Sequence, residues 1–228
     1  MSNESGGSTQ RRGGWRRRRR AERVLVSAAR RAGVRDARVL EAVEATPRSA
    51  YVPASLVGDA DADEPLPIGE GQTTSQPSLI ALMVEALEVD PSDRVLEVGT
   101  GFGWQTALLA QLASEVVSIE RHASLAEEAA ERLAGFPHVR VVVGDGFRGV
   151  PAHAPYDAVI VSAATPSVPE ALEAQLADGG RLVAPVGAQG HQVVVRYVRR
   201  DNALVRDREL TAARFVPLVP DESGGGEA

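Results

Sequence analysis

One stretch of the sequence has residue types and spacing suited to holding a ligand: Arg94-Val95-Leu96-Glu97-Val98-Gly99-Thr100-Gly101-Phe102-Gly103-Trp104. Val95, Leu96 and Val98 are β-formers in an apolar run too short for a helix. Gly99, Gly101 and Gly103 follow, and without a Cβ they let the backbone turn tightly and approach a ligand closely. Helix-forming residues run from Gln105 to Leu112, so free amides at that helix start face whatever occupies the turn. The spacing narrows the choice of ligand. A dinucleotide fingerprint requires G-x-G-x-x-G, and Trp104 stands where its third glycine belongs. A P-loop requires Gly-Lys-Ser/Thr, and the sequence contains no lysine.

The remaining pattern, Glu97-x-Gly99-x-Gly101-x-Gly103, resembles the first motif of S-adenosylmethionine (AdoMet)-dependent methyltransferases. That resemblance implies a cofactor turn built from Glu97, Gly99, Thr100, Gly101 and Gly103. The alternative is a strand-turn-helix junction whose glycines serve packing. Three further positions fit a nucleoside. Glu120 ends the next apolar strand, 21 residues after Gly99, where a carboxylate can accept hydrogen bonds from both ribose hydroxyls. Asp145-Gly146 follows Val141-Val142-Val143-Gly144, where an acidic side chain can receive the adenine amino group. Ser162-Ala163-Ala164 leaves room at the carboxyl edge of a sheet, where open α/β sheets bind ligands. The plainer readings are a strand-end charge facing water at Glu120 and a turn residue at Asp145.

These residues need a scaffold, and the alternation after Asp93 supplies one. Strands are expected at 94–98, 115–120, 139–143, 157–162 and 180–186, with helices at 104–113, 122–134 and 168–177. This is the pattern of an α/β fold with a doubly wound, mostly parallel, Rossmann-like sheet. Two more strands are expected at 191–199 and 203–218. Ahead of the sheet, Val24 to Ala32 and Ala37 to Ala45 read as amphipathic helices, with Asp36 as N-cap of the second. Residues 65–77 read as a loop rich in hydroxyls and amides. Ser75 or Gln76 is a candidate cap for the helix that begins at Pro77. The expected division is an arginine-rich tail at 1–22, one domain at 23–220 and a short tail at 221–228. Within the domain, 23–92 holds the N-terminal helices and active-site loop, 93–187 the cofactor core, and 188–220 the last strands.

The chain as a whole resembles the protein-L-isoaspartate O-methyltransferase family from about residue 24 to about residue 219. The resemblance is carried by Pro65-Leu66-Pro67-Ile68-Gly69, Gly71-Gln72-Thr73-Thr74-Ser75-Gln76-Pro77, Val95 to Gly101, Gly144-Asp145-Gly146, His153 to Val161, Gly179 to Val183, Pro185-Val186-Gly187 and Arg214-Phe215-Val216-Pro217-Leu218. It implies methyl transfer from AdoMet to the α-carboxylate of an isoaspartyl residue, after which the ester collapses to a succinimide. It also implies that Ser75 is the catalytic-site residue, a neutral hydroxyl that orients the carboxylate. Thr73 falls to the cofactor, and Gln72 and Thr74 share substrate or cofactor contacts. Glu70, Phe102, Trp104 and Val219 stand where the family often has His, Ser, Tyr and Thr, changes that bear on substrate and rate more than on fold. Two other readings stay open: a specialised aspartyl methyltransferase for one peptide, and an AdoMet-binding protein without turnover.

Composition limits the remaining choices. The net charge of −6 divides into +6 on residues 1–23, with eight arginines against Glu4 and Glu22, and −12 on the rest. An acidic body argues against nucleic acid as the main partner. The chain has no cysteine, which excludes disulfides, thiolate catalysis and cysteine-rich zinc sites. His122, His138, His153 and His191 are not grouped with carboxylates at ligand spacing, so no metal is expected. No apolar run reaches the roughly 20 residues that span a bilayer. The expectation is a cytoplasmic monomer.

Overall fold

The computed structural model describes residues 23–188 and 190–220. Both tails read from the sequence lie outside them. Among the described residues, helix α1 covers 23–32 and α2 spans Ala37–Ala45. Asp36 caps α2 as expected, its side chain accepting the Arg38 N–H at 2.8 Å. Short 3₁₀ turns follow at Arg48–Ala50 and Ala54–Asp59. Next come strands β1 (Leu66–Gly69) and β2 (Gln72–Thr74), then α3 (Pro77–Ala86).

The alternating core is β3 (Arg94–Val98), α4 (Trp104–Ala110), β4 (Glu115–Glu120), α5 (Ala123–Arg132), β5 (Val139–Val143), β6 (Tyr156–Val161), α6 (Glu170–Gln175) and β7 (Leu176–Val186). Strands β8 (Gln192–Arg200) and β9 (Ala203–Ala213) complete it. The sheet order is β5-β4-β3-β6-β7-β8-β9. Pairing from β5 through β7 is parallel, and β8 and β9 add antiparallel. The chain winds outward from β3 to β5 and returns to β6 on the other side of β3. That makes the carboxyl end of β3 the topological switch point, the place where such sheets open a ligand crevice.

Four expectations need correction. Residues 65–77 are not simply a loop, because β1 and β2 pair as an antiparallel hairpin. Its tip, Gly69-Glu70-Gly71, has positive φ at all three residues, and a glutamate there hides the usual hairpin signature. The helix expected at 168–177 is shorter. Pro169 precedes it, and Leu176 already pairs with Tyr156 in the sheet. Strand β7 therefore starts earlier than 180 and carries an irregularity between Tyr156 and Ala158 of its partner. Strand β9 ends at Ala213, well before Pro217, a residue that cannot donate to a ladder.

The fourth correction concerns α3. Gln76 holds its N-cap position as expected, but neither the Gln76 nor the Ser75 side chain supplies the capping bond. Asp63, from the acidic loop, accepts the Ser78 N–H at 2.8 Å with Oδ1 and the Gln76 side-chain amide at 3.1 Å with Oδ2. That loop is gathered by Arg48, which is 1% exposed. Its guanidinium donates to the carbonyls of Ala62 at 3.0 Å, Glu64 at 3.0 Å and Ser75 at 3.2 Å. Burial pushes the Arg48 pKa down to about 10, and Asp63, Asp61 and Glu64 act in the opposite direction.

Apolar side chains cover both faces of the sheet. Val95 joins the α2, α3 and α4 side with Met83, Trp104 and Leu108, while Leu96 and Val98 join the other side with Tyr156, Leu172 and Leu182. Strand alternation puts Glu97 on the face of Val95, fully buried. Ser118 Oγ donates to its Oε2 at 2.6 Å, Thr106 Oγ1 donates to the same oxygen, and Gln105 Nε2 donates to Oε1 at 2.9 Å. Burial pushes the Glu97 carboxyl up to about 7, and the three donors pull it the other way.

This has a consequence for stability. The folded carboxyl holds its proton up to about pH 7, and the unfolded one loses it near 4.5. The folded state therefore binds more protons across that window. The contribution of Glu97 is fully present below the unfolded pKa and is lost as pH rises through the folded one. Compared with Glu97→Gln, the wild-type chain should lose unfolding free energy between about pH 4.5 and about pH 7. Paired urea titrations check this. A difference that stays flat with pH would mean that Glu97 is ionised throughout.

Candidate active site

Strand β3 delivers the chain into the glycine turn with the sheet still holding it. Gly99 N–H donates to the Ile119 carbonyl at 2.8 Å, and Ser162 N–H donates to the Val98 carbonyl at 2.8 Å. Gly99, Gly101 and Gly103 have φ of +94°, +55° and +88°, a region that side chains other than glycine enter at a cost. Glu120 fixes the turn from the neighbouring strand. Its Oε2 accepts the Gly101 N–H at 2.9 Å and its Oε1 the His122 N–H at 3.1 Å. Each oxygen keeps further acceptor capacity, and Glu120 lines the cavity above the turn.

That cavity measures about 300 Å³, the lower end of the range for small-molecule sites. Its floor is the glycine turn. The hairpin closes one side through Ile68, Thr73 and Thr74, and residues 216–219 close another. A second cavity, of about 520 Å³, runs away past α3 toward Arg214 and Phe215. The two share Thr73, Ser75, Ser162 and Val216. Ser75 is held by its backbone, the carbonyl accepting from Arg48. Because Asp63 caps α3, the Ser75 hydroxyl is left with no hydrogen-bond partner among the described residues.

The structure brings Thr73, Ser75, Gly99, Thr100, Gly101, Gly103, Glu120 and Gly146 together on the first cavity wall. Two expected residues do not line it. Glu97 sits beneath the turn, with its donors all internal. Asp145 accepts the Phe147 N–H at 2.8 Å through Oδ1, its side chain 8% exposed, and the wall is formed instead by Gly146. Gln72 and Thr74 line it too.

Of residues 216–219, only the position of Val219 was expected near cofactor or substrate, yet all four line the cavity. Ala164 N–H donates to Val216 O at 2.8 Å, Leu218 N–H to Ala164 O at 2.7 Å, and Arg121 Nη1 to Val219 O at 3.0 Å. Pro217 was the available signal, since a proline argues against the last strand running on through it.

Three of the four unusual positions make local contacts. Glu70 accepts from Ser124 Oγ at 2.7 Å and lies 3.8 Å from His122 Nδ1, tying the hairpin tip to the start of α5. Phe102 packs with Ile68 and Leu125, and the Arg132 guanidinium lies 4.3 Å from its ring centre. Trp104 Nε1 donates to the Thr46 carbonyl at 3.1 Å. The fourth, Val219, lines the cavity and is exposed. No helix among the described residues is long and apolar enough to cross a membrane. No group of three or more His, Cys, Asp or Glu among them is placed to hold a metal.

Comparison with known proteins gives the same answer along most of the chain. The family described as protein-L-isoaspartate(D-aspartate) O-methyltransferase matches residues 19–223. A protein-L-isoaspartate O-methyltransferase of Methylorubrum extorquens is 52% identical over 188 residues, covering 82% of each chain. A solved protein-L-isoaspartate O-methyltransferase superposes with a TM-score of 0.76 at 31% identity, covering 86% of this chain and 65% of that one. A Plasmodium falciparum structure, titled a putative enzyme of this kind in complex with S-adenosyl-L-homocysteine, has the same fold. Its TM-score is 0.77 at 22% identity, over 87% of this chain and 98% of that one. Sheet order, glycine turn and matched sequence agree, and the chain belongs to the protein-L-isoaspartate(D-aspartate) O-methyltransferase family of AdoMet-dependent methyltransferases.

Proposed function

We propose that the cavity above the glycine turn takes AdoMet, and that Ser75 orients the free α-carboxylate of an L-isoaspartyl residue presented from the second cavity. The observation that carries this reading is the unpartnered Ser75 hydroxyl on the wall that the two cavities share. The residues present fit the cofactor. Gly101 has φ +55°, and a Cβ there would stand 3.0 Å from Ile68 Cδ1, so a side chain in the floor is strained and presses on the hairpin. The spare acceptor capacity of Glu120 suits the two hydroxyls of a ribose. When bound, AdoMet supplies a methyl group on a sulfonium, which leaves as a neutral thioether.

The chain itself has little proton chemistry to do. A carboxylate with an ordinary pKa near 4 is ionised at neutral pH, so no general base is required. Ser75 donates one hydrogen bond, which holds the carboxylate without the tight ion pair that would quench it. Alignment of nucleophile and methyl carbon is then the main contribution, and such positioning is worth up to roughly 7–11 kcal/mol. The partners in this reading are isoaspartyl proteins and peptides, met by a cytoplasmic monomer. The ester formed collapses to a succinimide, whose hydrolysis restores some normal aspartate.

Methyl transfer from radiolabelled AdoMet to matched isoaspartyl and aspartyl peptides tests the reading. Only the isoaspartyl peptide should be labelled. Labelling of neither, with AdoMet bound, would mean a dedicated substrate or lost turnover. Ser75→Ala should lower turnover about tenfold or more, the loss expected for one hydrogen bond to a charged group. Its AdoMet affinity should stay within about twofold, as a hydroxyl aimed at the acceptor requires; unchanged turnover would remove Ser75 from the mechanism. Gly101→Ala places a methyl in the floor at positive φ. It should weaken AdoMet binding by about tenfold or more while circular dichroism stays native. Retained affinity would move the cofactor elsewhere.

A further inference from the structure

A carboxylate has two oxygens, and a single hydroxyl can hold only one of them. Ser75 therefore leaves the acceptor free to rotate about its own bond. The wall shared by the two cavities carries another hydroxyl, Ser162, immediately after β6. Its backbone is fixed by the sheet, its N–H donating to the Val98 carbonyl at 2.8 Å. Its side chain is fixed by Gln105, whose Nε2 donates to Ser162 Oγ at 2.9 Å and to Glu97 Oε1 at 2.9 Å. Both protons of that amide are thus committed, one to each partner.

The direction of this bond decides what Ser162 can do. Because Oγ accepts from Gln105, its own proton must point elsewhere, and no described residue accepts it. Glu97 in turn is locked by Ser118 and Thr106, so Gln105 cannot swing away without leaving the buried Glu97 Oε1 without its partner. The result is a hydroxyl donor pre-set toward the cavities from the side of β6, while Ser75 comes from the side of α3. The geometry points to Ser162 as a second catalytic-site donor that grips the substrate carboxylate together with Ser75, with Gln105 as the positioning residue that aims it.

This inference rests on the isoaspartyl reading above and deepens it. Held by two hydroxyls, the carboxylate keeps one lone pair directed at the methyl carbon. The new C–O bond forms as the C–S bond breaks, the electron pair goes to sulfur, and neither serine loses its proton.

The test uses full-length wild type, Ser162→Ala, Ser162→Thr and Gln105→Met. Two measurements are made with each: kcat/KM on an isoaspartyl peptide, and the inhibition constants of that peptide and of its α-carboxamide analogue with S-adenosylhomocysteine bound. Ser162→Ala should lose about tenfold in kcat/KM, with cofactor affinity within about twofold. Its preference for carboxylate over carboxamide should collapse. Ser162→Thr keeps the hydroxyl and should recover both, and Gln105→Met should behave like Ser162→Ala. Unchanged kcat/KM in Ser162→Ala overturns the proposal. So does an equal weakening of both inhibitors, which would mean a purely structural role, or a parallel loss of cofactor affinity, which would assign Ser162 to the cofactor. Failure of the wild-type enzyme to label the isoaspartyl peptide overturns the isoaspartyl reading, and this assignment with it.

Discussion

A carboxyl group sealed from water at the end of the central strand has to be met by hydrogen-bond partners, and that requirement shapes everything around the turn. Glu97 is fully buried, and an uncompensated buried charge or polar group is among the costliest features a fold can carry. Its donors come from β4 through Ser118 and from α4 through Gln105 and Thr106. Ser118 is also 2.6 Å from Thr100 Oγ1 in the turn itself. Satisfying one group therefore fixes the register of β3 against β4, seats α4 over the sheet and sets the shape of the glycine floor. A network of this kind is rigid when complete and fragile when any member is missing.

The loop that carries Ser75 is governed by the opposite charge. Arg48 cannot stay buried without oxygens around it, and it collects them from the backbone of a segment with no regular structure. Asp63, in that segment, then reaches α3 and satisfies one of its first free amides, that of Ser78. Backbone and cap are both taken care of by residues far away in sequence. What remains uncommitted at Ser75 is the one group that meets the cavity.

This explains why the sequence could be read in some places and not in others. The turn at Gly99 to Gly103 and the strand-end carboxylate at Glu120 are local patterns, and both lie where spacing and strand ends put them. Glu97 belongs to the same local pattern, yet its side chain faces α4, as the alternation with Val95 already implied. Ser75 was ambiguous because a serine ahead of Pro77 has the look of a helix cap. Only the remote contact with Asp63 resolves it, and no window of sequence around Ser75 contains that contact. The hairpin was hidden by Glu70 in a left-handed conformation. The return of residues 216–219 to the cavity depends on pairing with Ala164, some fifty positions earlier in the chain.

The Asp145-Gly146 step has a bearing on the lifetime of the catalyst. Aspartate isomerises when the next amide nitrogen swings onto the side-chain carbonyl carbon, and a following glycine hinders that swing least. Here Oδ1 of Asp145 is already engaged by the Phe147 N–H. Gly146 is packed so closely that even a Cβ would come within 2.6 Å of Val98 Cγ1 and 3.1 Å of Leu218 Cδ1. The contacts that make Gly146 a wall of the cavity also deny the backbone its swing. Beside that cavity, the packing thereby opposes an isoaspartyl rearrangement in a chain of the isoaspartyl methyltransferase family.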